Sequence, residues 1–292
     1  MSSSISTSPG AFVGSLISRM EQTGSALCVG LDPVLERMPE AVRSNGADPL
    51  GACIAFSRLV IDSVREHAAA IKIQSACFER FGGGSLYAVT EVCSLAREAG
   101  LPVILDAKRG DIGISAEHYA AAAVAQGADA ITVNPYLGTE TIIPYLDAGL
   151  AVFALVRTST PGSDELQSRI LDDGSTVAEA VARSIAQFGT DWDHPSGLCP
   201  VGAVVGATKS ADAEALRAAM PDQLFLVPGF GAQGGSADDL RAMRRAGSAS
   251  VADAGVLVTS SRAIIFAGDG GADAVRTAAA EARTQIGNAL TG

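Results

Sequence analysis

Leu101-Pro102-Val103-Ile104-Leu105-Asp106-Ala107-Lys108-Arg109-Gly110-Asp111-Ile112 is an apolar run that ends in charge. Pro102 opens the run and Gly110 closes it, so Val103–Leu105 reads as a buried strand. An Ala-rich segment of helical spacing, Leu86–Ala99, precedes it. A second, Ala116–Gln126, follows. Gly100 and Gly127 stand just after these helices, where a residue with positive φ is wanted. Asp106 and Lys108 are two residues apart, so strand geometry points them to one side. Neither charge can be buried alone, and each needs a partner.

The same unit recurs outward from this stretch. Further β-rich runs lie at Ala26–Leu31, Ala70–Ile73, Ala130–Val133, Val152–Val156, Val201–Val205, Leu224–Val227 and Val256–Val258. Helical spacing returns in Ile54–Val64, Val177–Phe188, Asp212–Met220 and Asp238–Ala246, the last followed by Gly247. Alternating strand and helix predicts a parallel sheet. Eight such strands in about 250 residues match a (β/α)8 TIM barrel, an α/β fold, better than an open doubly wound sheet. No linker divides the chain, so residues 1–292 are expected to form a single barrel domain behind a short disordered N-terminal tail. Residues 9–22 are expected to close the barrel bottom, and 271–289 to add a final helix outside the repeat.

Bulk properties exclude several classes. Hydrophobic residues make up 48% and charged residues 18% of the 292, which favours a large core over disorder. A net charge of -11 argues against nucleic-acid or anionic-membrane partners, so an anionic ligand would need a local basic pocket. No apolar run approaches a membrane span. MSSSISTSPG has neither a basic residue nor an apolar core, so it is not a secretory signal. Cys28, Cys53, Cys77, Cys93 and Cys199 are scattered, as expected of reduced thiols in a cytoplasmic protein. His67, His118 and His194 share no ligand spacing, so no metal site is expected.

Barrel function sits where strands end. The strand ends here carry Asp32-Pro33, Lys72, Asp106 with Lys108 and Asp111, Asn134-Pro135-Tyr136, Arg157 through Gly162, Thr208-Lys209, Pro228 through Gly235, and Ser260-Ser261-Arg262. Gly229, Gly231 and Gly234 fit the G-x-G-x-x-G spacing of dinucleotide sites, but the next strand does not end in an acid. The loops after strands seven and eight are also where barrels commonly hold phosphate, and Arg262 supplies a bidentate donor. A phosphate monoester is therefore the favoured ligand over a dinucleotide.

These residues resemble a known family, the orotidine 5′-monophosphate decarboxylases, in the longer of their two common forms. The resemblance is carried by Val29-Gly30-Leu31-Asp32-Pro33, Ile71-Lys72, Leu105 through Ile112, Ser159 with Pro161-Gly162, Pro228 through Gly235, and Ser261-Arg262. Thr160 stands where the longer form would carry an amide, and Ser115 where it would carry Thr. The resemblance implies a cofactor-independent lyase that converts orotidine 5′-monophosphate to uridine 5′-monophosphate and CO2. In that reading Lys72, Asp106, Lys108 and Asp111 form a charge array, and Lys108 protonates C6. Asp32 and Lys72 hold ribose hydroxyls, Ser159 touches the pyrimidine amide edge, and Pro228 lines the ring pocket. Gln233 and Arg262 bind the phosphate, with Ser261 beside them. The resemblance also implies a homodimer in which Asp111, with Ile112 and Ser115, reaches the neighbour's site. Residues 163–174 and 231–235 are candidate lids. Two rivals are a Mg2+-dependent sugar-phosphate enzyme of the same superfamily, with Glu79 the nearest extra acid to Lys72, and a non-catalytic phosphate-binding barrel.

Overall fold

A computed structural model of the chain describes residues 8–45, 48–193, 197–207, 209–230 and 235–292. Eight strands form in the expected order: β1 (Leu27–Leu31), β2 (Ala70–Gln74), β3 (Val103–Arg109), β4 (Ala130–Val133), β5 (Ala151–Arg157), β6 (Cys199–Val205), β7 (Gln223–Pro228) and β8 (Val256–Ser260). Each pairs in parallel with the next, and β8 returns to β1 through Leu27↔Val258 and Cys28↔Thr259, closing the barrel. Closure leaves no sheet edge, and the strands are almost wholly buried because helices cover the outside. That double burial is why they read as continuous apolar runs.

Helices follow the predicted spacing, as in Pro49–Val64, Ser85–Glu98, Gly113–Ala125 and Val177–Gly189. Their ends follow local chemistry. Thr176 and Glu179 form a reciprocal cap at the start of Val177–Gly189, and Gly100, Gly127 and Gly247 all take positive φ. Helix Pro9–Thr23 packs on β5 and β6, with Phe12 edge-on to Phe153, 6.0 Å between ring centres. Its residues Ala11, Phe12 and Ser15 share a crevice with Leu101, Ala128 and Leu150, which all precede strands. It therefore lies under the barrel bottom, as expected.

The last helix differs from expectation. Ala272–Thr291 packs between Ala237–Ala242, which follows β7, and Pro49–Val64, which follows β1. It occupies the eighth helical position of the ring and is not an addition to it. Only the four-residue helix Arg262–Ile265 separates it from β8.

Buried Arg217 ties the bottoms of β7 and β8, the strands that end in the glycine-rich loop and in Arg262. Its guanidinium donates to the carbonyls of Met243, Met220, Gln223 and Gly255 at 2.7–2.8 Å and lies 3.5 Å from the Phe225 ring centre. Burial, with Arg245 nearby, pushes Arg217 down to about 9. Arg217→Met strips those carbonyls of a donor and should cost about 2–4 kcal/mol in denaturant unfolding. A loss below about 1 kcal/mol would show that the carbonyls find other partners.

Among the described residues no helix is long and apolar enough to cross a membrane. All five cysteines are free thiols, and all but Cys77 are buried.

Candidate active site

Asp106 is the hub of the barrel mouth. Parallel register sets Gln74 of β2 opposite it, with Lys72 two residues earlier on the same strand and the same face. Lys72 Nζ donates to Asp106 Oδ2 at 2.7 Å and Gln74 Nε2 donates at 3.2 Å. From the other side, Lys108 Nζ and Thr132 Oγ1 donate to Oδ1 at 2.6 and 2.9 Å. Asp106 and Lys72 are each only 6% exposed, so their charges survive only because they meet each other. Burial alone would raise the Asp106 carboxyl, but Lys72 and then Lys108 hold it well below the usual carboxylate range. Burial likewise works against a charged Lys72, and Asp106 and Asp32 together outweigh it, raising Lys72 above its ordinary value.

Lys108 reaches Asp106 by a route that simple alternation does not give. The β3–β4 register shifts between Leu105 and Arg109, and Lys108 has φ +46, the one positive φ among the described non-glycine residues. A left-handed lysine is strained and persists only where its surroundings fix it. Here the Lys108 N–H donates to Thr132 Oγ1 at 3.0 Å, and that hydroxyl in turn donates to Asp106. The bulge frees the Lys108 side chain, 47% exposed, to extend into the mouth while it stays tethered to Asp106.

A cavity of about 380 Å³ opens over this cluster. Asp32, Lys72, Asp106 and Lys108 line it together with Ser159, Thr160, Pro228, Phe230, Ser261 and Arg262. Asp32 Oδ1 is buried without a hydrogen-bond partner, 3.9 Å from Lys72 Nζ. Ser261 can approach because Gly30 has no side chain: a Cβ there would fall 1.9 Å from Ser261 Oγ. Among the described residues Arg262 forms no ion pair, so its charge is available to an anion. Two aspartates and two lysines cancel, which leaves Arg262 as the net charge of the pocket.

Most of the residues singled out in the sequence therefore meet in one place. Asp111, Ile112 and Ser115 do not line this cavity. Asp111 Oδ1 accepts from the Ile112 N–H instead, at 2.9 Å. Gln233 lies outside the described residues, as do His194, Thr208 and most of the second candidate lid. The first candidate lid, 163–174, includes a short helix, Asp164–Gln167, and its Ile170 bridges to Thr176 just beyond it. Glu79 is bound by Arg109 at 2.6 Å and is not part of the cavity wall. Among the described residues no group of three or more His, Cys, Asp or Glu side chains could hold a metal ion.

A family model described as "Orotidine 5′-phosphate decarboxylase / HUMPS family" matches residues 25–277, which span all eight strands. The chain belongs to this family. Its similarity to curated members runs over nearly the whole length. It is 40% identical to the orotidine 5′-phosphate decarboxylase of Rhodopirellula baltica, covering 88% of each chain. It is 43% identical to that of Halorubrum lacusprofundi, covering 89% of each. The solved OMP decarboxylase of Leishmania donovani superposes with a TM-score of 0.80 at 34% identity, over 96% of this chain and 99% of that one.

Sequence reading missed two side chains of the hub. Thr132 is a lone hydroxyl in the apolar strand Ala130–Val133, and Gln74 follows Lys72 at the strand period. Both signals were present, since a polar residue inside a doubly buried strand must face a polar partner.

Proposed function

We propose that the chain removes CO2 from C6 of orotidine 5′-monophosphate, with Lys108 as proton donor to the carbon left behind. As a member of its family the chain is a decarboxylase, a carbon–carbon lyase of pyrimidine nucleotide synthesis. The observation that carries the assignment of roles is Asp106 clamped between Lys72 and Lys108 at 2.7 and 2.6 Å, in a pocket also lined by Arg262, which has no ion pair among the described residues. Breaking the C6–carboxylate bond leaves an electron pair in the plane of the ring, outside its π system. A cation fixed at that carbon stabilises the pair, and Lys108 is preorganised there by Asp106. The same ammonium then gives its proton to C6 without solvent. Asp106 faces the departing carboxylate. Asp32, with its buried free acceptor, and Lys72 take the ribose hydroxyls, Ser159 the amide edge of the base, and Pro228 a face of the ring. Gln233, Ser261 and Arg262 take the phosphate, whose binding energy holds the ring against the array.

The metal-dependent rival needs an extra acid beside Lys72, and Glu79 is engaged by Arg109 instead. Loss of orotate absorbance on incubation with the nucleotide, undiminished by EDTA, tests the reaction against that rival. Tight nucleotide binding without turnover would favour a binding barrel.

The dimer is part of the same proposal. Ile112 and Ile114 are 61% and 67% exposed and Tyr136 78%; Ile112 caps helix Gly113–Ala125, Ile114 lies in its first turn, and Tyr136 lies in the short helix Pro135–Leu137 that follows β4. A second copy covering this apolar face would carry Asp111 to its neighbour's pocket. The cytoplasmic setting rests on the free, mostly buried thiols.

Arg262→Ala should weaken kcat/KM for the nucleotide by about 2–4 kcal/mol, while barely changing the poor activity on the unphosphorylated nucleoside. Equal losses on both substrates would place Arg262 in another role.

A further inference from the structure

Behind Ser159 lies Gly206, the residue after β6, which does not line the cavity. Its N–H donates to the Arg157 carbonyl at 2.7 Å, so the two strand ends are locked together. A Cβ built on Gly206 would sit 2.8 Å from Ser159 Cα and 2.9 Å from both its Cβ and its N. These are backbone and near-backbone atoms, which no rotamer change can move. Gly206 does not have positive φ, so alanine can adopt its backbone and the obstacle is contact alone.

The loop that carries Ser159 is also pinned from its far side. Arg157, 3% exposed, donates to Asp212 Oδ2 and Asp164 Oδ1, both at 2.6 Å, and to Ser168 Oγ at 2.9 Å. The Thr158 N–H donates to Gln167 Oε1 at 2.9 Å. Lys209, from the loop after β6, donates to Asp164 as well, at 2.6 Å. A loop held this way cannot simply lift away from a new methyl group.

We propose that Gly206 and Gln167 are positioning residues for substrate: neither lines the pocket, and together they fix Ser159 at the depth where it meets the base. Gly206 provides the empty space into which the Ser159 backbone folds, and Gln167 braces the preceding peptide. The inference rests on the reading of Ser159 as the contact to the pyrimidine edge.

The test is a double-mutant cycle of Gly206→Ala with Ser159→Ala. It is read as KM and kcat for orotidine 5′-monophosphate, and as Kd for the product nucleotide. Gly206→Ala should raise KM and Kd about tenfold, the worth of one neutral hydrogen bond, while kcat falls no more than about threefold. In the Ser159→Ala background the same substitution should add less than about a twofold effect, because the contact it disturbs is already gone. Unchanged KM, or full additivity in the cycle, overturns the proposal. Wild-type protein that fails to turn over the nucleotide overturns the reading of the site instead. If Gly206→Ala does not fold, Gln167→Ala, on the half-buried side of the loop, decides. It should raise KM severalfold, again only when Ser159 is present, and an unchanged KM overturns the proposal.

Discussion

Lys108→Ala is expected to abolish turnover, by at least about a thousandfold or about 4 kcal/mol of barrier, in a protein that still folds and still binds the product nucleotide. A large loss is expected because in the proposed mechanism one ammonium does two things, stabilising the carbanion electron pair and then protonating it. The fold should survive because Asp106 keeps Lys72, Gln74 and Thr132 as donors when Lys108 is gone. Alanine carries a Cβ as lysine does, so the variant keeps the left-handed strain in the β3 bulge and gains nothing there to offset the lost ion pair. A variant that retains more than about a tenth of the wild-type rate, about 1.4 kcal/mol, removes Lys108 from the chemistry. Acid titration offers a second check. The folded-state value of Asp106 lies below its unfolded one, so its stabilisation is complete above the ordinary aspartate range and is lost as pH falls through the folded value. Without Lys108 one of the two cations that lower Asp106 is removed. The acid-unfolding midpoint should therefore move to higher pH than in wild type, and an unmoved midpoint would mean the Lys108–Asp106 contact contributes little in solution.

The barrel was legible because its physics is repetitive. Parallel strands buried on both faces must be apolar throughout, and Val103–Leu105, Ala130–Val133 and Val256–Val258 stand out for that reason. Their outer ends were harder to place. β3 runs to Arg109 and β5 to Arg157, because a strand at the barrel mouth continues into charged residues once tertiary partners satisfy them. Lys108 was found for a partly mistaken reason: the sequence implied alternation along a straight strand, while the contact is made through a bulge. No local rule gives that bulge, which depends on the Thr132 hydroxyl of the neighbouring strand. Gly206 was invisible for a related reason. Its significance lies in the absence of atoms against a loop from another strand, and sequence spacing does not encode that. Asp111 is a different case, because its sequence motif tied it to the array, yet in the single chain it does not line the pocket.

That position gives the second large effect, recovery of activity from two inactive proteins. Asp106 is held by its strand and faces its own barrel mouth. Asp111 follows Gly110, beyond the end of β3, and bonds only to the next backbone N–H among its described hydrogen-bond contacts. The apolar side chains of Ile112, Ile114 and Tyr136 beside it would be covered by a second chain. Lys108→Ala and Asp111→Ala should each be inactive alone. Mixed, dissociated and reassociated, they should in the proposed homodimer give dimers of which about half contain one chain of each kind. In such a dimer one pocket joins the intact Lys108 of one protomer to the intact Asp111 of its partner, and the other pocket carries both lesions. About a quarter of all sites should therefore recover, and activity should follow the fraction of mixed dimers as the ratio of the two variants is changed. If Asp111 acts on the pocket of its own chain, every site in every dimer carries a lesion and mixing restores nothing. A rate that stays at the level of the separate variants would return Asp111 to its own barrel and leave the apolar face to some other partner.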